Sequence, residues 1–168
     1  MACLFTVLVV GLLFHLALMF STDGLVQISP AASSLAALAG VFFLMASLGL
    51  YGAFQRGPVR LVSPIIASFP ILSVFWAASM GADITFWQWA AVLIILGGVS
   101  VVAILSDDSH EDVPPKGLTI LYAGIAAIGF AGTFAITQLA AEMSDHLPVT
   151  LVTRVTALAL LNLPLINI

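Results

Sequence analysis

Long apolar runs separated by short polar joints make up most of the chain. A helix needs about 20 apolar residues to cross about 30 Å of hydrocarbon. Six segments reach or approach that length: residues 3–20, 35–54, 61–80, 86–105, 117–141 and 149–168. Each is apolar on every side, as expected of helices that face lipid or lie buried. The pattern therefore predicts an all-α fold, a polytopic transmembrane helix bundle of about six spans. The joints are polar and short, which makes sequential helices antiparallel. Residues 21–34 contain Asp23, Gly24 and Pro30, and residues 55–60 turn on Arg56-Gly57-Pro58. Residues 81–85 hold Asp83, and residues 142–148 end on Pro148, which suits the first turn of the sixth helix. Residues 106–116 carry Asp107, Asp108, Glu111 and Asp112 before Pro114-Pro115. This is the one strongly hydrophilic stretch and divides the chain into two halves.

Small residues point to helix contacts, because in lipid close backbone approach replaces the hydrophobic drive between helices. They include Gly40, Ala46 and Gly49 in the second segment and Gly97-Gly98 in the fourth. Ala123, Gly124, Ala127, Gly129 and Gly132 line the fifth, which reads as an interior helix.

Composition agrees with the pattern. Hydrophobic residues are 62% of the chain and charged residues 7%; the mean hydropathy is +1.22. A soluble domain carries about 25% charged residues, so this chain cannot solvate a globular surface. No Lys or Arg cluster exists to neutralise phosphates, which excludes nucleic acid as a partner. The single Cys3 allows neither an internal disulfide nor a cysteine metal cluster. The first segment has no positive residue before Arg56 and no clear small-x-small cleavage pattern, so it reads as a retained span rather than a signal peptide. Arg56, Arg60 and Lys116 share one side of an alternating topology against Arg154 on the other. The positive-inside rule would put the first three in the cytoplasm.

The third segment is the most informative chemically. Pro64 and Pro70 interrupt it, each removing an amide donor and crowding the carbonyl one turn back. Carbonyls near Ser63 and Ile66 then need other partners at membrane depth, and Ser63, Ser68 and Ser73 are nearby. Two readings stand side by side: a bent helix lining a polar cavity, as in transporters, and a kink that only shapes the bundle. In the fifth segment Thr119, Tyr122, Thr133, Thr137 and Gln138 are polar; hydrogen bonding between helices is the plainer reading and ligand contact the sharper one. His15 reads as a bonded packing residue, and Arg154 as a cation snorkelling to the interface near the start of the sixth span. Trp87 and Trp89 read as an interfacial belt, with Trp76 on the other side of the turn. No paired carboxylate lies within a span, and neither His-x-x-x-His nor a glycine-rich phosphate loop occurs. The acidic stretch 107–112 lacks the alternating pattern of a calcium loop. The chain is therefore expected to be no enzyme and to need neither metal nor cofactor.

Gly57-Pro58-Val59-Arg60-Leu61-Val62-Ser63-Pro64-Ile65 followed by Phe69-Pro70 resembles the fourth helix of EamA-type carriers of the drug/metabolite transporter superfamily. Met80-Gly81-Ala82-Asp83-Ile84-Thr85 resembles the turn after it, with Ala82 in place of the acidic residue of the family's Gly-Glu. Phe86-Trp87-Gln88-Trp89 and Leu93-Ile94-Ile95-Leu96-Gly97-Gly98-Val99 resemble the next helix, and Leu147-Pro148 with Arg154 resembles the start of a second helix. The resemblance covers most of the chain and is most specific in residues 57–102. It implies ten helices in two five-helix halves of inverted topology, of which this chain would hold helices two to seven. Residues 1–105 would be the last four helices of the first repeat, 106–116 an acidic linker, and 117–168 the first two helices of a truncated second repeat. The joints 55–60 and 106–116 would then face outward, against the charge count, and the helix order is given more weight.

The resemblance further implies a multi-pass carrier of small organic solutes in the inner (plasma) membrane, working by alternating access and represented here by an incomplete chain. Expected cavity residues are Ser63, Ser68, Pro70, Ser73 and Trp76 from the third segment, with Tyr122, Thr133 and Gln138 from the fifth. The expected partners are the lipid bilayer and a small solute, with a homodimer as a further option. A membrane scaffold or assembly subunit without transport activity is the alternative, and an enzyme acting on lipids ranks last.

Overall fold

A computed structural model describes residues 2–21, 28–105 and 116–163. Every element among them is a helix: α1 (Ala2–Ser21), α2 (Pro30–Arg56), α3 (Val59–Ala67), α4 (Phe69–Ser79), α5 (Phe86–Leu105), α6 (Lys116–Ala141) and α7 (His146–Leu161). Four stretches are long and apolar enough to cross a membrane: Cys3–Ser21, Pro30–Arg56, Val59–Ser79 and Gly117–Ala141. The apolar stretches Phe86–Val101 and His146–Leu161 are shorter. The acidic residues 106–115 and the joint residues Asp23 and Gly24 lie outside the described residues.

Local chemistry places the helix ends. At the start of α2, Ser29 Oγ accepts the Ala32 amide at 3.1 Å, and Pro30 follows at the first helical position. The helix therefore begins five residues earlier than the apolar pattern suggests. α4 ends in a Schellman motif: Gly81 N–H donates to the Ala78 carbonyl and Ala82 N–H to that of Ala77, each at 3.0 Å. Gly81 takes φ +86°, a conformation open to glycine at little cost. At the start of α5 the Gln88 side chain reaches back to accept the Thr85 amide at 2.7 Å. Pro148 stands in the first turn of α7, as expected. That helix does not run to residue 168 as a single expected span, however, but ends at Leu161. Asn162 Nδ2 donates to the Leu158 carbonyl at 2.7 Å, and Pro164 disfavours helix at Leu163.

The helices pack in two units, neither of which coincides with one side of the acidic stretch. In the unit Met1–Leu44 with Gly132–Ile168, α1 lies along α7. Leu4 and Leu8 are buried, and Gly11 and His15 continue their stripe at helical spacing. α7 buries Val149, Thr153, Ala157 and Leu161, four residues apart each time. Val149 joins Ala32, Ala36 and Ala140 in a core cluster. Thr153 Oγ1 lies 3.1 Å from the Ala36 carbonyl and 3.0 Å from that of Val149, and donates between them. A Cβ at Gly40 would stand 2.6 Å from the Thr153 carbonyl oxygen, so only glycine allows this approach.

In the unit Met45–Ala131, Ala53, Val62, Ile66, Ala123 and Ala126 form the core, with Leu50, Ile65, Tyr122 and Phe130 packed against it. A Cβ at Gly49 would lie 2.8 Å from the Tyr122 carbonyl oxygen and 2.9 Å from Ala126 N. One at Gly129 would lie 2.9 Å from Ala46 Cα. Gly40, Ala46, Gly49, Gly129 and Gly132 therefore meet neighbours as expected, and α6 is buried along that face. Gly97, Gly98 and Gly124 are a correction, because a Cβ on any of them would meet nothing within 4 Å. Their faces point away from the described helices.

The outward surface is apolar. Phe20, Phe75, Trp87 and Ile104 are 81%, 68%, 78% and 81% exposed. Exposure of large apolar side chains on this scale is incompatible with an aqueous monomer and suits lipid.

Gly49→Val is expected to destabilise the purified chain by about 1–3 kcal/mol through overpacking against backbone, whereas Gly97→Val should stay within about 0.5 kcal/mol. Unfolding midpoints in detergent compare the two; equal effects would mean that the α2–α6 approach is wrong.

Candidate functional site

The apolar stretch Val59–Ser79 is broken once. α3 and α4 meet at Ser68, whose φ of −75° and ψ of −10° make a kink rather than a reversal. The cause is local. Pro64 lies inside α3 and Pro70 in the first turn of α4. Neither has an N–H, so the carbonyls of Arg60 and Ile66 lose their helical donors. Hydroxyls cluster at the break. Ser68 Oγ–H donates to the Ile65 carbonyl at 2.6 Å, and Ser73 Oγ–H to that of Phe69 at 3.1 Å. Both serines are half-buried, as are Ser63 and Pro70, while Trp76 is 45% exposed.

The other expected cavity residues take different positions. Tyr122 belongs to the same unit and packs in the cluster with Val62 and Ile66 of α3. Its ring lies against Gly52, and the Arg56 guanidinium stands 5.4 Å from the ring centroid. That cation–π contact anchors the end of α2 to α6. Thr133 and Gln138 belong to the other unit, where Thr133 is buried and Gln138 exposed. Trp87 is exposed and Trp89 half-buried. His15 Nδ1 lies 3.1 Å from the Gly11 carbonyl oxygen, so the ring is a bonded packing group as expected.

Arg154 departs from its expected place. It is the ninth of the sixteen residues of α7, because that helix runs from His146 to Leu161 rather than over residues 149–168. Its guanidinium lies against Gly11, where a Cβ would collide with Nη1 and stand 2.9 Å from Cζ. Gly11 is the tenth of the twenty residues of α1. The cation therefore sits halfway along an apolar helix instead of at an end. Its Nε is buried and has no hydrogen-bond partner, and no ion pair to it occurs among the described residues. Insertion scales put a charged side chain at a membrane helix centre at a cost of about 2.5–3.5 kcal/mol. The sequence signal that could have found this arrangement is the pairing of a glycine at the middle of one apolar helix with an arginine in another.

Among the described residues no group of three or more His, Cys, Asp or Glu is placed to hold a metal ion. The fold defines an α-helical membrane protein. In comparisons with protein-family models, curated proteins and solved structures, nothing matches this chain.

Ser68→Ala removes a hydroxyl from a half-buried carbonyl and should cost about 0.5–1.5 kcal/mol. Ser79→Ala removes a similar bond, to the Trp76 carbonyl at 2.7 Å, from an exposed position and should cost less. Detergent unfolding of both variants decides; a loss at Ser79 as large as at Ser68 would remove any special role for the break.

Proposed function

We propose that this chain is a multi-pass carrier of small organic solutes in the inner (plasma) membrane, working by alternating access and not an enzyme. The break at Ser68 is the observation that supports it. A span interrupted by two prolines, with serine hydroxyls bonded to the Ile65 and Phe69 carbonyls around the break, resembles the way transporters place polar backbone at membrane depth. The resemblance of residues 57–102 to EamA-type carriers points the same way. On this reading α5 and α7 cross the membrane along with the four longer stretches, giving six spans. The chain is then part of a ten-helix inverted-repeat fold, with residues 106–116 linking the two repeats. Ser63, Ser68, Pro70, Ser73, Trp76, Tyr122, Thr133 and Gln138 are the proposed cavity residues.

A second reading, a membrane scaffold without transport activity, has its own observation. Ser68 and Ser73 already spend their hydroxyl protons on carbonyls of their own chain. Such bonds stabilise a kink with no solute present.

Proteoliposomes containing the chain, with any flanking sequence its gene encodes, should take up labelled amino acids or short carboxylic acids above the empty-vesicle rate. Absence of flux for every solute, with and without an imposed proton gradient, rejects the carrier. Single cysteines at Ser68 and Thr133, with Cys3 replaced by serine, separate the two readings further. Labelling of both by a membrane-impermeant polar thiol reagent belongs to a water-filled cavity, and protection of both to a packed scaffold.

A further inference from the structure

Arg154 is the only Lys or Arg in a helix interior among the described residues; Arg56, Arg60 and Lys116 stand at helix ends. Its surroundings are unusual for a cation. The Nη1 end of the guanidinium is against the bare backbone of Gly11, at the middle of α1. The buried Nε has a proton and no acceptor. The described acids of the same unit, Glu142 and Asp145, lie in the joint before α7. Asp145 precedes Arg154 by nine residues, about 13 Å along the helix axis, and among the described residues neither acid forms an ion pair with it. His15, one turn after Gly11 on α1, already uses Nδ1 on the Gly11 carbonyl.

An ionised guanidinium at such depth needs a partner. It presents five N–H donors in a planar fork, and that fork matches two oxygens of a carboxylate or phosphate. Gly11 is the feature that opens the place, since any side chain there would occupy the guanidinium's position. Mid-helix placement favours a small solute over a lipid headgroup, because headgroups lie outside the hydrocarbon core.

We propose that Arg154, seated against Gly11, binds the oxyanion of a small solute, a carboxylate or a phosphate. Resting on the carrier reading, this makes the anionic group the feature by which the substrate is recognised. The bound oxygens accept the Nε and Nη protons, and no covalent step is involved.

The test uses the full chain, labelled with ¹⁵N-arginine, in a phosphate-free maltoside detergent. Hexanoate and inorganic phosphate are titrated against chloride at equal ionic strength, with phosphatidylglycerol as a separate arm. The Arg154 Nε–H resonance is assigned by its loss in Arg154→Lys. Hexanoate or phosphate should move that resonance and raise the unfolding midpoint. Arg154→Gln should weaken the apparent affinity by at least about tenfold. Gly11→Ala, which keeps the charge but places a methyl where Nη1 lies, should weaken it as well. A resonance unmoved by either anion overturns the proposal. So does an Arg154→Gln response equal to the parent's, or a response to phosphatidylglycerol alone, which would make Arg154 a headgroup anchor. If Arg154→Gln does not fold, the Nε–H titrations of the parent chain and of Gly11→Ala decide. Anion binding without flux removes the carrier reading and leaves this site; flux unchanged in Arg154→Gln, with a silent Nε–H resonance, does the reverse.

Discussion

A backbone amide in hydrocarbon has no water to bond, so each N–H and C=O must find its partner within the protein. The helix is the solution that a single segment can reach by itself, and each described element of this chain is one. The same constraint governs the ends. Ser29 at α2, the Gly81 turn after α4, Gln88 at α5 and Asn162 after α7 all bond groups that a helix terminus leaves open. It also governs the break between α3 and α4. There the prolines withdraw donors, and the Ser68 hydroxyl bonds a neighbouring carbonyl.

Once every segment is a helix, association needs another source of energy. In lipid, apolar side chains gain little by leaving their surroundings, and close contact supplies the difference. Gly40, Gly49 and Gly129 each lie so near a neighbouring backbone that a methyl group would overlap it. Alanine does the same work at Ala36, Ala46, Ala53, Ala123 and Ala126, all fully buried. Small residues alone do not mark contact, however. Gly97 and Gly98 lie on a helix as apolar as the others and face open space. A glycine records that close approach is allowed; the direction of its face decides whether approach occurs.

That distinction explains how much was legible beforehand. Helix class and approximate extent follow from long apolar runs, since nothing but a helix can hold them in lipid. The Pro64–Pro70 break was legible for the same reason, because a missing N–H is a property of residue type. Three boundaries were misplaced: Ser29-Pro30 opens α2, Asp145 stands at the N-cap of α7 before His146, and Asn162-Leu163-Pro164 follows its end. Hydropathy hides such signals by averaging across them. The proposed cavity residues are a different case. Tyr122 packs with α3 residues while Gln138 is exposed, and no feature of α6 read by itself separates them. Which side of a uniformly apolar helix faces a neighbour is settled by that neighbour.

Arg154 shows the limit most clearly. Counted from the apolar run alone it stands near a helix start, where snorkelling would hydrate it. Three further residues at the start of α7 and its earlier end at Leu161 put it at the middle of that helix, and contact with Gly11 puts its guanidinium beside the middle of α1. Depth is thus a joint property of two helices and their register. The Nε of this half-buried arginine is shielded and unpartnered, and the absence of a side chain on Gly11 leaves room for the guanidinium but supplies no acceptor for it. A purely structural residue gains nothing from that arrangement, since leucine would fill the same space without the cost of burying charge. On the anion-binding proposal, the oxyanion of a solute is the partner that accounts for the charge.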